Sequence, residues 1–184
     1  MPAPEKERLV TPQIKKLGIL AGGGAMPAAL IEACAKQGIE PFVIAFENQT
    51  DPQILSGIDH EWSRLGAVGH VLKALRANGI HDLVLIGSIR RPSLSELKPD
   101  LKAAAFFAKN GLKAMGDNDL LQALREFLEE EGFNIHGIQK FASEILCPDG
   151  PVTKHKPSKD DWIDIRRGVE VLTAMGPLDI GQAV

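Results

Sequence analysis

Short apolar runs alternate with amphipathic segments along most of the chain. The apolar runs predict buried strands, and apolar residues spaced three or four positions apart predict helices. Strands are predicted over 17–21, 42–46, around Trp62, over 83–86 and, from a weaker alternation, over 133–141. Helices are predicted over 27–37, 68–78, 117–131 and 158–175, with a broken helical segment over 94–115.

Strands that alternate with helices predict a mainly parallel sheet. The expected fold class is α/β, a Rossmann-like parallel sheet with helices on both faces, followed by a linker and a C-terminal helix. Residues 1–14 are predicted to be a disordered tail and 15–147 a Rossmann-like ligand-binding domain. The segment 148–184 is expected to hold the linker, the helix and the start of a missing catalytic domain.

Composition narrows the class of protein. A formal net charge of −3 over 184 residues gives no electrostatic argument for nucleic acid as a partner. No apolar run approaches the roughly 20 residues that span a bilayer, and the N-terminus lacks the apolar core of a signal peptide. Cys34 and Cys147 have no CxxC spacing, which indicates neither a zinc site nor a disulfide framework and favours a reducing cytoplasm.

The first candidate site is the glycine loop, which we define as Gly22, Gly23, Gly24 and Ala25, between the first strand and the first helix. Residues with little or no side chain let backbone N–H groups approach a ligand, and a helix N-terminus favours an anion. The alternative is a tight turn that needs positive φ. The sequence favours ligand binding over the turn.

The second candidate is the arginine loop, residues 87–92, which leaves the strand over 83–86 and contains Ser88, Arg90, Arg91 and Pro92. An arginine fork matches the geometry of phosphate and carboxylate groups. Adjacent arginines are also commonly a solvated surface pair, and the residues alone leave both interpretations open. Because the arginine loop leaves a central strand, we expect it at the same sheet edge as the glycine loop.

A third cluster is acidic. Gly116, Asp117, Asn118 and Asp119 could hold a hydrated magnesium ion, although the spacing favours simple N-capping of a helix by Asp117. The histidines have no partner at ligand or triad spacing, and no GxSxG, HExxH or Walker motif occurs.

These residues alone permit a nicotinamide dinucleotide-binding domain. Gly22 and Gly24 follow the first strand, and Glu47 follows the second at a distance that suits a ribose contact. Pro27, however, stands where that fingerprint needs a third small residue for close helix packing, so the match is partial. A non-catalytic interaction module, with dimerisation driven by the apolar face of the last helix, is the other alternative.

Four segments in order resemble one enzyme family. They are LGILAGGGAMP, GSIRRPSL, GDNDLL and KPSKDDWIDIRRGVEVLTAMGPLDIGQAV. Together they are similar to the N-terminal domain and linker of the LpxI family, the UDP-2,3-diacylglucosamine pyrophosphatases of lipid A biosynthesis. The resemblance implies a magnesium-dependent hydrolase that splits UDP-2,3-diacylglucosamine into UMP and 2,3-diacylglucosamine 1-phosphate (lipid X), with water attacking the α-phosphorus of the nucleotide.

The resemblance also assigns roles to residues. Gly24 matches the last glycine of the family's GGG and would offer its backbone to the substrate, and Arg91 matches the arginine of the family's RP loop. Asp117 matches the first acid of the family's GDD, whereas Asn118 replaces the second. Gln139 lies where the family often has a polar residue. The predicted substrate-binding residues are Gly23, Gly24, Ala25, Ser88, Arg90, Arg91, Pro92, Asp117 and Gln139.

In that family the substrate lies between two domains, and the C-terminal domain supplies the catalytic aspartate and the metal site. No segment here resembles that acidic motif, so we expect no catalytic residue within this chain, the magnesium site in the missing domain, and weak binding without hydrolysis when the chain is alone. The expected partners are the lipid-nucleotide substrate, the missing catalytic domain, a second copy of the chain and the inner-membrane surface. The basic residues 154–167 could contact phospholipid head groups there or form a solvated face. The expected location is the cytoplasm, peripheral to the inner membrane.

Overall fold

A parallel sheet forms the centre of the structure, which is a computed structural model. It describes residues 14–90, 97–110, 117–147, 150–178, 180–181 and 183–184, without the side chains of residues 110 and 117–119. Within these residues the strands are β1 (Lys16–Ala21), β2 (Glu40–Phe46), β3 (Asp59–Ser63), β4 (Asp82–Ile86) and β5 (Asn134–Ile135). Their order is β3-β2-β1-β4-β5, and each neighbouring pair is parallel.

The helices connect the strands as a parallel sheet requires. In the described part of the chain they are α1 (Met26–Lys36), α2 (Val68–Ala77), α3 (Leu101–Asn110), α4 (Asp117–Glu130) and α5 (Lys159–Met175). The first helix joins β1 to β2, α2 joins β3 to β4, and α3 and α4 lie between β4 and β5 in the sequence. A turn and the 3-10 helix Pro52–Leu55 make the shorter connection from β2 to β3.

Two buried clusters cover the two faces of the sheet, because alternate residues of each strand point to opposite sides. On one side α1 packs on the sheet in a cluster of Leu17, Ile19, Ala21, Leu30, Ile31, Cys34, Val43, Ala45, Leu55, Val84 and Phe141. On the other side α2 and α4 pack in a cluster of Leu20, Phe42, Ile44, Phe46, Val71, Leu72, Leu75, Ile80, Leu83, Leu128 and Phe133. The predicted α/β sheet with helices on both faces is confirmed.

The last strand is shorter than the sequence predicts. Only Asn134–Ile135 pairs with β4, and the chain then forms the 3-10 helix Ile138–Lys140. Phe133 and Phe141 are eight positions apart and would share one face of a continuous strand. Instead Phe133 lies in the core beneath α2 and Phe141 in the core beneath α1, so the strand has to end between them.

Two other predicted segments are described only in part. Residues 1–13 of the predicted tail lie outside the described residues, and Ile14 packs against the α1 side of the core. The broken helical segment over 94–115 contains α3, whereas residues 91–96 and 111–116 lie outside the described residues.

The chain divides into two compact units, Met1–Ile145 and Leu146–Val184. The second unit contains α5, which begins with a capping box: the Ser158 hydroxyl accepts from the Asp161 N–H, and the Asp161 carboxylate accepts from the Ser158 N–H. None of the α5 residues, all of them described, is buried. Among the described helices, none has the length and apolar character needed to cross a bilayer.

Candidate functional site

The carboxyl ends of β1 and β4 lie side by side where the strand order reverses. From β1 the chain runs outward to β2 and β3, and α2 then returns it to β4 on the other side of β1. In open parallel sheets, ligands bind in the crevice outside the strand ends at such a switch point. The glycine loop follows β1 and the arginine loop follows β4, so the fold brings the two predicted loops to this edge.

Backbone hydrogen bonds tie the two loops together. The Gly22 N–H donates to the Ile86 carbonyl at 2.8 Å, which continues the ladder between β1 and β4. Beyond it, the Gly23 N–H donates to the Ser88 carbonyl at 2.7 Å, and the Ser88 N–H donates to the Gly23 carbonyl at 2.9 Å. The N–H groups of Gly22 and Gly23 therefore already have acceptors within the protein and are not free to bind a ligand.

The first two glycines are required because the loops approach so closely. A Cβ at Gly22 would lie 2.5 Å from the Ser88 carbonyl oxygen, and one at Gly23 would lie 2.8 Å from the Gln49 carbonyl oxygen. Gly87 has φ +95° and would place a Cβ 2.8 Å from the Gly23 carbonyl oxygen. For these glycines the tight-turn interpretation gives the physical reason.

Gly24 differs from its neighbours. Its φ is +87°, yet a Cβ there would meet nothing within 4 Å. Both Gly24 and Ala25 are exposed, and within the described residues neither N–H has an acceptor. Ala25 is also the N-cap residue of α1 and provides no side-chain cap. The start of α1 therefore presents unsatisfied N–H groups to open space, which is the arrangement that binds anions.

By contrast, a side chain from elsewhere in the chain occupies the N-terminus of α2. The Asp100 carboxylate accepts from the Gly69 N–H at 2.7 Å and, through its other oxygen, from the Ala103 N–H at 2.9 Å. One side chain therefore caps α2 and α3 together, and its negative charge occupies the position that an anion would take at α2. Of these two helix starts, only α1 is open.

The turn after β2 lies at the same edge and contacts both the end of β1 and the arginine loop. The buried Thr50 hydroxyl donates to the Ala21 carbonyl at the end of β1 at 2.5 Å and accepts from the Phe46 N–H at 2.8 Å. The neighbouring Gln49 reaches the arginine loop: its Oε1 accepts from the Arg90 N–H at 2.8 Å, and its Nε2 donates to the Arg90 carbonyl at 3.4 Å. Sequence reasoning missed both residues, although polar residues directly after a buried strand were a signal for this edge.

The remaining arginine-loop and β2 candidates are placed as follows. Ser88 and Arg90 are exposed and lie in the described part of the arginine loop, whereas Arg91 and Pro92 lie outside the described residues. Glu47, the ribose contact of the dinucleotide interpretation, is exposed at the end of β2.

The other two candidates lie on later elements. Asp117 is the first residue of α4, and its side chain is outside the described ones. Gln139 is exposed in the 3-10 helix after β5, and its amide folds over Gly137. No hydrogen bond, ion pair or ring contact between described residues joins Gln139 to the glycine loop.

No metal centre is formed by the residues that the structure describes: none of their His, Cys, Asp and Glu side chains come together in a group of three or more that could hold an ion. Residue 116 and the side chains of 117–119, predicted as either a magnesium site or a helix cap, lie outside the described residues, so that expectation stays a prediction.

Two family models match the chain. Residues 16–145 match the LpxI N-terminal domain, and residues 148–184 match the LpxI C-terminal domain. A relative from Caulobacter vibrioides, named UDP-2,3-diacylglucosamine pyrophosphatase LpxI, is 33% identical over 172 residues. The matched region covers 92% of this chain and 60% of the relative, so the chain spans less than two thirds of that protein's length.

Solved structures resemble the chain only distantly. The Bordetella bronchiseptica enzyme WbmG in complex with NAD is 17% identical with a TM-score of 0.40, over 65% of this chain and 36% of that one. The protein gox2253 is 16% identical with a TM-score of 0.40, over 87% of this chain and 47% of that one. Neither similarity bears on function.

Proposed function

The chain belongs to the LpxI family, and we propose that it binds UDP-2,3-diacylglucosamine with the pyrophosphate at the glycine loop. The bound substrate is then hydrolysed in lipid A biosynthesis. Water adds to the α-phosphorus, the bond from that phosphorus to the bridging oxygen breaks, and UMP and 2,3-diacylglucosamine 1-phosphate are released. The support is the name of the Caulobacter vibrioides relative together with the chemistry of the switch-point edge.

One observation carries the proposal of a phosphate site. Gly24 and Ala25 hold N–H groups without acceptors among the described residues, at the open start of α1 and at the edge where ligands of parallel sheets bind. The absence of a Cβ at Gly24 leaves space for a phosphate oxygen to approach the backbone. Arg90, on the neighbouring loop, adds a positive charge at the same edge.

The dinucleotide alternative has less support. Pro27 is fully buried in the first turn of α1. A dinucleotide fingerprint needs a small residue there so that the helix can approach the strand closely. The pyrophosphate of NAD would nevertheless suit the same N–H groups, so NAD is a necessary comparison in any binding test.

Magnesium is implied by the family and supplies charge stabilisation when it is bound. The described side chains offer no cluster that fits it, and we assign it no ligand in this chain. The expectation that the chain alone does not release UMP stays a prediction, since residues 148–184 match the LpxI C-terminal domain.

The test is a Gly24→Ala variant with Gly38→Ala as its matched control. Both glycines have positive φ, +87° and +68°, and a Cβ at either would meet nothing within 4 Å. Each substitution therefore costs similar backbone strain, about 1–2 kcal/mol. Only Gly24 lies at the proposed site, because Gly38 follows the other end of α1.

Calorimetric titration with UDP-2,3-diacylglucosamine in detergent, and with NAD in parallel, measures the outcome. We expect the wild type to bind the lipid nucleotide in preference to NAD. Gly24→Ala should bind the lipid nucleotide at least roughly tenfold more weakly, which is a loss of about 1.4 kcal/mol of binding free energy. Gly38→Ala should keep the wild-type affinity. Absence of lipid-nucleotide binding by the wild type, or equal affinities of the two variants, would contradict the proposal.

A further inference from the structure

The turn after β2 connects the parts of the site that come from other strands. Its backbone is fixed at both ends, because the Gln49 and Thr50 N–H groups both donate to the Phe46 carbonyl at 3.0 Å. The buried Thr50 hydroxyl holds the turn to the Ala21 carbonyl, immediately before the glycine loop. Asn48 completes the turn with a φ of +61°. The Gln49 side chain therefore starts from an anchored position.

Gln49 contacts both loops of the site. Its carbonyl oxygen lies against Gly23, so closely that a Cβ on Gly23 would be 2.8 Å away. Its side-chain amide pairs with both the N–H and the carbonyl of Arg90, in the way that one strand pairs with another. A carboxamide is suited to this because it carries a donor and an acceptor in one plane.

We propose that Gln49 is a positioning residue that holds Arg90 of the arginine loop near the glycine loop, beyond the Gly23–Ser88 pair that already joins the two loops. This inference rests on the proposed function, in which the two loops bind one pyrophosphate. Gln49 does not touch the phosphates in this scheme. It holds the Arg90 backbone, so that residues 87–90, the described part of the arginine loop, stay at the same edge as the glycine loop, and binding need not order these residues first.

The variant Gln49→Met tests the proposal, because methionine has nearly the same length and volume but neither hydrogen bond. Gln53→Met is the control. Gln53 is exposed, its side chain has no partner within the described residues, and it lies four positions along the same segment. A second variant, Gln49→Glu, keeps an acceptor for the Arg90 N–H but replaces the Nε2 donor with a carboxylate oxygen that faces the Arg90 carbonyl oxygen.

The first measurement needs no ligand. Hydrogen exchange of the Arg90 amide, followed by NMR on the full chain, should become roughly tenfold faster in Gln49→Met, which corresponds to about 1.4 kcal/mol. It should stay near the wild-type rate in Gln53→Met, whereas Gln49→Glu, which keeps one hydrogen bond and places two oxygens opposite each other in place of the second, should exchange at an intermediate rate. Unchanged Arg90 exchange in Gln49→Met would overturn the inference, and exchange that accelerates throughout the sheet would show a general structural role instead.

The second measurement is affinity for UDP-2,3-diacylglucosamine in detergent. We expect Gln49→Met to bind roughly tenfold more weakly with an unchanged melting temperature, and Gln53→Met to bind as the wild type does. Faster Arg90 exchange with wild-type affinity would overturn the positioning role. If the wild type does not bind the lipid nucleotide, the proposed function fails and the positioning role with it, whereas the exchange experiment still decides whether Gln49 holds the arginine loop.

Discussion

Replacing Asp100 should destabilise two helices at once. Its carboxylate accepts from Gly69 at the start of α2 and from Ala103 at the start of α3, through different oxygens. Ala67, the N-cap residue of α2, makes no side-chain cap of its own, so α2 depends on Asp100, which lies 31 positions after Gly69 in the chain. Asp100 also donates its N–H to the Gly66 carbonyl at 2.9 Å, which fixes the carboxylate between the two helices.

The magnitude follows from the number of caps. Loss of one side-chain N-cap costs about 1 kcal/mol, so Asp100→Ala should lower the free energy of unfolding by about 2 kcal/mol. Asp100→Asn keeps one acceptor oxygen and should cost about half as much. For a chain of this length about 1 kcal/mol corresponds to roughly 2–4 °C, so the melting temperature should fall by about 4–8 °C in Asp100→Ala.

Thermal and urea unfolding followed by circular dichroism measure this prediction. Asp59→Ala is the control, because Asp59 is exposed on the edge strand β3 and its side chain has no partner among the described residues, although its backbone pairs with Phe42 of β2. Its effect should stay within about 0.5 kcal/mol. Affinity for the lipid nucleotide should be unchanged in both variants. A fall for Asp100→Ala no larger than that for Asp59→Ala, or an Asn variant as unstable as the Ala variant, would refute the double-cap reasoning.

Two further predictions concern charge and thiol chemistry. Hydrogen bonds from Lys102 at 2.5 Å and Arg76 at 2.6 Å hold the pKa of Glu131 below its ordinary value of 4.5. The stabilisation is therefore complete above that value and is lost as the pH falls through the lower pKa of the folded state. Glu131→Gln should lower the free energy of unfolding by about 1–2 kcal/mol at pH 7. Urea unfolding should show that this difference between variant and wild type shrinks below about pH 4.5, and a difference independent of pH would contradict the prediction. Burial raises the pKa of the Cys34 thiol to about 11, so iodoacetamide at pH 8 should modify the exposed Cys147 and leave Cys34 intact. Mass spectrometry of the folded chain, compared with the urea-unfolded chain in which both thiols should react, measures this.

Local sequence patterns were sufficient for most of the fold. The apolar run of β1 and the spacing of Val71, Leu72 and Leu75 in α2 follow from the periodicity of buried positions, which is a property of neighbouring residues. Ser158 and Asp161 likewise form the predicted helix start, because a capping box needs only residues three apart. The end of β5 was missed because it depends on which core each phenylalanine enters.

The sequence by itself determined the positions of the described α-helices and of β1 to β4, the family, and the two loops that meet at the switch point. It also showed three consecutive glycines, but the sequence pattern predicted the same role, ligand binding, for all three. Only the tertiary structure distinguished them: the Ser88 carbonyl, in the loop after β4, accepts from the Gly23 N–H, whereas the Gly24 N–H has no acceptor within the described residues. Likewise only the tertiary structure filled the start of α2 with Asp100 and left the start of α1 open. The physical reason is that a backbone N–H is satisfied by whichever acceptor the fold brings near it, and that acceptor can lie anywhere in the chain.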